Sequence, residues 1–253
     1  MRTIGVLGGM GPVATLEYVG RILALCQRSH GAVQDHEYPP LLVYSMSLEG
    51  SDETGVRSSR VLARELERGV AVLQHGGADV ITIPCNTAHE FLPRLRRTAT
   101  VPILNMVELT AQQAVRRGFH RVGVLASESS LGAGLYAKPL LAQRLSAIEP
   151  LASERRELTH AILNIMAGRR LGVDRLAMHR IAERMRRVDG IDGMIVGCTE
   201  LSAVLPAAEY SVPTIDAMDV LAEAAVHTAY EPDLVASSPG ATTHEVHLVA
   251  TGA

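Results

Sequence analysis

ITIPCNTAH, at residues 81–89, is a short apolar run that stops at Pro84 and delivers Cys85 to the start of a helix-forming segment. IDGMIVGCTEL, at residues 191–201, repeats the arrangement around Cys198. Aligning the two cysteines gives an offset of 113, which also pairs Asp79 with Asp192 and Ile81 with Met194. Parallel strands present functional groups at their carboxyl ends, where the following loops form a crevice and helix starts offer free N–H groups. The pattern predicts one thiol at each of two strand ends, held toward thiolate by the positive end of a helix.

Outward from these stretches, strand and helix signals alternate. Residues 3–7 (TIGVL) read as a strand, the glycine turn at 8–11 follows, and Pro12 opens a helix to about Gln27. A strand at 41–46 and a polar loop at 47–55 precede Val61, Leu62, Leu66, Val70 and Leu73, whose spacing marks an amphipathic helix closed by Gly76 and Gly77. A helix to about Arg97 follows Cys85, then a short strand at 101–104, a helix at 107–117 and a strand at 122–126. Helices over 131–146 and 154–167 flank a strand near 148–151, and a basic helix over 173–188 leads into the Cys198 strand. A strand at 212–215 and a helix at 217–230 complete the pattern, which argues for a mostly parallel sheet. Residues 231–253 read as a polar tail with weak alternation at 244–250.

The chain also repeats itself. TIGVL at 3–7 matches RVGVL at 121–125, and Tyr18 matches Tyr136, both at an offset of 118. Val101-Pro102 with Asn105 matches Val212-Pro213 with Asp216 at 111. Slow drift of the offset is what loop-length differences produce, so two similar α/β units of Rossmann-like or flavodoxin-like type are predicted, facing one another across an active-site cleft. Residues 1–105 with 207–230 form the unit carrying Cys85, 106–206 the unit carrying Cys198, and 231–253 the tail. Tyr18 and Tyr136 read as packing residues at their junction.

Composition narrows the function. At 47% hydrophobic and 20% charged residues with a net charge of −3, the chain reads as a globular protein with dispersed charge. Aromatics at 3% and scattered basic residues exclude a nucleic-acid surface, and the Arg-rich run at 180–187 reads as a solvated helix face. Apolar runs fall short of the ~20 residues a membrane span needs. The start goes straight into a strand pattern without a signal segment, which predicts a cytoplasmic protein. Three cysteines, at 26, 85 and 198, lack the spacing of a zinc site or a disulfide framework, and Cys26 reads as a small buried hydrophobe.

Two opposed thiols suit the removal of a proton from one face of a carbon and the return of one to the other. Charge developing on an adjacent carboxylate needs N–H groups and short polar side chains, which Asn86, Thr87, Thr199 and the glycine turn supply. His89, one turn beyond Cys85, and Glu200, beside Cys198, are candidates for tuning the thiols. No metal-ligand set and no cofactor motif stands out, so the expected partner is a small molecule alone. One rival starts from residues 9–14, GMGPVA, which formally match a dinucleotide fingerprint and would imply an NAD(P)-binding oxidoreductase. Its acidic residue is misplaced: Glu37 precedes the second strand and Glu49 comes late. A non-catalytic two-lobed binder would keep the cleft without turnover.

LGGMGP near the start, PCNTAH at 84–89 and GCTEL at 197–201 together resemble the aspartate/glutamate racemase superfamily, most closely its aspartate racemase branch, over roughly residues 1–230. The resemblance implies a cofactor-independent racemase of pseudosymmetric α/β domains, a homodimer, with Cys85 and Cys198 as the catalytic pair. It also implies that Met10, Asn86, Thr87 and Thr199 hold the substrate's carboxylate and amino group. Ser47 lies in the region after the second strand, and Ser127, Ser129 and Ser130, in place of a Thr-rich turn, are expected to line the opposite wall. Hydantoin racemase and maleate cis-trans isomerase, which use paired cysteines, are alternatives within the superfamily.

Two departures bear on the substrate. Where aspartate racemases carry an Asn-Asn-Pro stretch and an Arg, residues 45–52 read SMSLEGSD, and where they carry a Lys before Ala-Gly, this chain has Met166. A second substrate carboxylate without a cation is unfavourable. The expected substrate is therefore an amino acid other than aspartate, unless Arg57 or Arg60 replaces the missing charge.

Overall fold

The strand β1 (Ile4–Gly8) is buried along its whole length, as its unbroken apolar sequence requires of a central parallel strand. The computed structural model describes residues 1–52, 55–169, 172–202 and 205–231. In chain order β1 leads to α1 (Pro12–His30), β2 (Leu41–Ser45), the two-residue strands β3 (Ser51–Asp52) and β4 (Gly55–Val56), and α2 (Ser59–His75). Next come β5 (Val80–Thr82), α3 (Leu92–Thr98), α4 (Met106–Arg116), β6 (Arg121–Ala126), α5 (Glu128–Gly132) and α6 (Ala137–Ala142). The chain continues through β7 (Ser146–Ile148), α7 (Ala152–Met166), α8 (Gly172–Arg184), β8 (Gly193–Gly197), α9 (Thr199–Ser202), β9 (Thr214–Asp216) and α10 (Ala217–Tyr230).

Two parallel sheets carry the fold, ordered β2-β1-β5 and β7-β6-β8-β9. Their registers reproduce the internal repeat. Ile4 pairs with Val80 in the first sheet and Val122 with Gly193 in the second, which are the same positions at offsets of 118 and 113. Ile81 bridges Ile103 as Met194 pairs with Thr214, at 113 and 111. Asn105 caps α4 by accepting from Val107 N–H, and its counterpart Asp216 caps α10 by accepting from Met218 N–H.

Helices α1, α4 and α10 lie between the sheets. Their Tyr18, Ile22, Met106, Ala111, Leu221 and Ala225 share one core with Ile4 and Val6 of the first sheet and Val122, Val124 and Ile215 of the second. A second core joins α2 and α3 to the outer face of the first sheet, and a third joins α7 and α8 to the second. Among the described residues no helix is long and apolar enough to cross a membrane.

Several predicted elements differ. The strand grouped with the first unit, now β9, hydrogen-bonds to β8, so part of 207–230 belongs to the second sheet; α10 packs against both α1 and α4. The expected strand at 101–104 is reduced to one bridge. The helix expected over 131–146 is broken into α5 and α6 and then becomes β7. Gly134 takes φ +63 there and Leu135 N–H returns to Ser130 O, which ends the first helix. The segment after Cys85 begins as a 3-10 turn (Thr87–Phe91) before Pro93 starts α3. The 47–55 loop contains the β3–β4 pair, and the alternation at 244–250 lies outside the described residues.

Candidate active site

The carboxyl ends of five strands open onto one cavity of about 410 Å³. After β1 come Gly9 to Pro12, after β2 Met46 to Leu48, and after β5 Cys85 to Ala88. After β6 come Ser127, Ser129 and Ser130, and after β8 Cys198, Thr199 and Glu200. Leu62 of α2 and Ile162 and Met166 of α7 close the apolar side. All the predicted carboxylate and wall residues, Met10, Ser47, Asn86, Thr87, Ser127, Ser129, Ser130 and Thr199, line this cavity with both cysteines.

Glycine has a positional reason at two places in the turn after β1. Gly9, at φ +96, lies against the Met46 backbone, and a Cβ there would overlap it. Gly11, at φ +87, leaves space that Glu200 Oε1 fills. The glycines of the dinucleotide-like motif thus serve chain packing and make room for an acidic side chain.

The two halves are joined across the cavity by hydroxyls. Thr87 Oγ1 lies 3.1 Å from Ser130 Oγ, and Ser127 Oγ donates to Ser130 Oγ at 3.1 Å. Tyr136 donates its phenolic proton to Asn86 Oδ1, and its ring lies where a side chain on Gly197 would be. That bond leaves Asn86 Nδ2 buried without a hydrogen-bond partner among the described residues.

His89 lines no part of the cavity. Its Nδ1 lies 2.8 Å from Cys85 O, and its Nε2 accepts from Met106 N–H at 3.1 Å, which fixes the proton on Nδ1. Burial holds its pKa below the usual histidine range, so the ring is neutral. The equivalent position in the other half is Ser202, whose Oγ reaches back to Cys198 O at 3.4 Å and donates to Asp216 Oδ1 at 2.9 Å. His89 and Ser202 therefore hold the backbone under each cysteine rather than touching a sulfur. Arg57 and Arg60 are exposed and outside the cavity, so neither supplies the missing cation there.

Contrary to the sequence expectation, the thiols are not poised as thiolates. Burial pushes Cys85 up to about 12; the Ala88 and Thr87 N–H groups oppose it and the Glu200 charge adds to it. Cys198 is raised still more clearly by burial and by Glu200, to which its Sγ donates at 3.3 Å. Sequence alone indicated a helix-start effect but not the depth at which both sulfurs sit. It also missed Tyr136, Met46, Leu48, Leu62 and Ile162 as site residues; Tyr136 was marked only by its symmetry with Tyr18.

Matched parallel half-sheets meeting over one cavity make this a two-domain α/β racemase fold. The chain belongs to the Asp/Glu/hydantoin racemase family, whose model matches residues 7–225. It is 26% identical over 225 residues to the broad specificity amino-acid racemase RacX of Bacillus subtilis (strain 168), covering 89% of this chain and 97% of that one. An aspartate racemase homologue from Pyrococcus horikoshii OT3 superposes with a TM-score of 0.76 at 25% identity, covering 91% of this chain and all (100%) of the other. The aspartate racemase of Picrophilus torridus shares the fold with a TM-score of 0.78 at 23% identity, over 91% of this chain and 95% of that one.

Proposed function

We propose that this protein is a cofactor-independent amino-acid racemase in which Cys85 and Cys198 act on opposite faces of the α-carbon. One sulfur, as thiolate, takes the α-proton, and the other, as thiol, gives its proton to the opposite face; the roles exchange with the handedness of the substrate. Asn86, Thr87 and the serines after β6 offer neutral hydrogen bonds to the carboxylate as charge builds on it. The observation that carries the proposal is that both thiols, at equivalent strand ends of matched register, line the same cavity. The resemblance further suggests a cytoplasmic homodimer.

The substrate we infer is an amino acid whose side chain bears no carboxylate. No Lys, Arg or His lines the cavity among the described residues, and Met46, Leu48, Leu62, Ile162 and Met166 make an apolar wall. The broad specificity of the Bacillus subtilis relative is consistent with an unbranched, adaptable methionine surface. Chiral chromatography of the nineteen common L-amino acids after incubation with the purified protein tests this. Inversion of neutral amino acids is expected; aspartate or glutamate as preferred substrate contradicts the specificity, and no inversion at all contradicts the activity.

A further inference from the structure

Glu200 is the only charged side chain lining the cavity among the described residues. It is half-buried: Oε1 fills the space beside Gly11, and Oε2 accepts from Cys198 Sγ at 3.3 Å and Thr199 Oγ1 at 3.1 Å. Both donors are neutral. The cation of the adjoining helix face, Arg21, is already engaged by Glu17 at 2.8 Å, Asp216 at 2.6 Å and Asp219 at 2.8 Å. A carboxylate in a cavity wall with no positive partner among the described residues is unfavourable, and here desolvation, with the Glu17 charge behind it, raises the Glu200 carboxyl. Among the described residues the cavity therefore holds a carboxylate with no positive charge to match it.

We propose that Glu200 is the anchor for the α-ammonium group of the substrate, the ligand bringing the cation that none of the described cavity residues provides. The inference rests on the reading of this cavity as an amino-acid site and assigns each substrate group a place. With the ammonium at Glu200 beside Cys198, the carboxylate meets Asn86 Nδ2, which has no partner among the described residues, and the hydroxyls of Thr87 and Ser130. The side chain is left to the apolar wall of Met46, Leu48, Leu62, Ile162 and Met166. The arrangement selects free α-amino acids over hydantoins, whose ring nitrogens carry no positive charge, and over dicarboxylates without an amine. Pairing with an ammonium also offsets the negative field that Glu200 exerts on both sulfurs.

The test is calorimetric titration of the protein and of Glu200→Gln with the tightest-binding of the nineteen common L-amino acids and with the carboxylic acid that lacks its amino group. The native protein is expected to prefer the amino acid strongly. Glu200→Gln is expected to weaken amino-acid binding by ~30-fold or more while leaving the des-amino acid unchanged, and Glu200→Asp to recover part of the loss. Equal weakening of both ligands, no weakening of either, or no binding of any of the nineteen overturns the anchor. Should the native protein bind with this preference yet invert nothing, the anchor stands and the racemase reading falls. Should it invert amino acids while Glu200→Gln retains the full preference, the racemase reading stands and the anchor falls.

Discussion

Tyr136, from the turn before α6, donates its phenolic proton to Asn86 Oδ1, the residue following Cys85, and so ties the second half of the molecule to the first directly beneath the cavity. Both side chains are buried, and the bond turns the Asn86 amide nitrogen away from Tyr136. Tyr136→Phe leaves Asn86 Oδ1 buried without a donor, a cost of about 1–3 kcal/mol. A lower unfolding midpoint together with a raised KM is expected. An unchanged KM would show that Asn86 does not need this orientation.

Thiol reactivity has a definite sign. Burial and the Glu200 charge both raise the sulfurs, so the thiolate fraction is small at neutral pH and grows as pH rises toward about 12 for Cys85. Alkylation of the free protein by iodoacetamide is expected to accelerate by about tenfold per pH unit through the mildly alkaline range. It should be faster at any one pH in Glu200→Gln, from which the negative charge is gone. A rate already level near neutral pH contradicts the protonated resting state.

The specificity wall can be given the charge it lacks. Met166, at the end of α7, faces the cavity, and Met166→Lys introduces an ammonium there. The ratio of kcat/KM for L-aspartate to that for L-methionine is expected to rise by about tenfold, in keeping with a partly solvated charge pair. No change in this ratio would separate Met166 from substrate selection.

Much of this was legible in sequence because duplication leaves period and offset behind. The offsets of 118, 113 and 111 between TIGVL and RVGVL, the two cysteines, and Asn105 and Asp216 are the offsets at which the strands pair and the helices are capped. The polar residues and cysteines delivered by strand ends were therefore found, while the apolar Met46 and Leu48 after β2 were not. Leu62 and Ile162 reach the cavity from helices, where one turn's apolar residues look alike whether they face core or ligand. Protonation of the thiols was not legible either, since the competition between N–H groups and burial is decided by depth, and sequence gives no depth. β9 was misplaced because a strand's partner is a long-range property, and only its pairing with β8 assigns it.

Arg21 ties α1 to the cap of α10. Its guanidinium meets the buried Asp216 at 2.6 Å, and Asp216 in turn accepts from Ser202 beneath Cys198. Arg21→Ala strands that carboxylate and is expected to lower the unfolding free energy by about 3–5 kcal/mol in a denaturant titration. Adding Asp216→Asn, which keeps an oxygen for the Met218 N–H, is expected to restore part of the loss. An additive double variant would mean that the pair does not act as a unit.

The central claim is that two sulfurs share one stereocentre, and it is tested most directly by proton NMR of an L-amino acid substrate in heavy water with the native protein, Cys85→Ser and Cys198→Ser. The native protein is expected to replace the α-proton with deuterium as it forms the D-enantiomer. Each serine variant is expected to lose inversion by about 10²–10⁴-fold, because a hydroxyl is far too weak a base to stand in for a positioned thiolate. Inversion at the native rate by either variant would contradict the account.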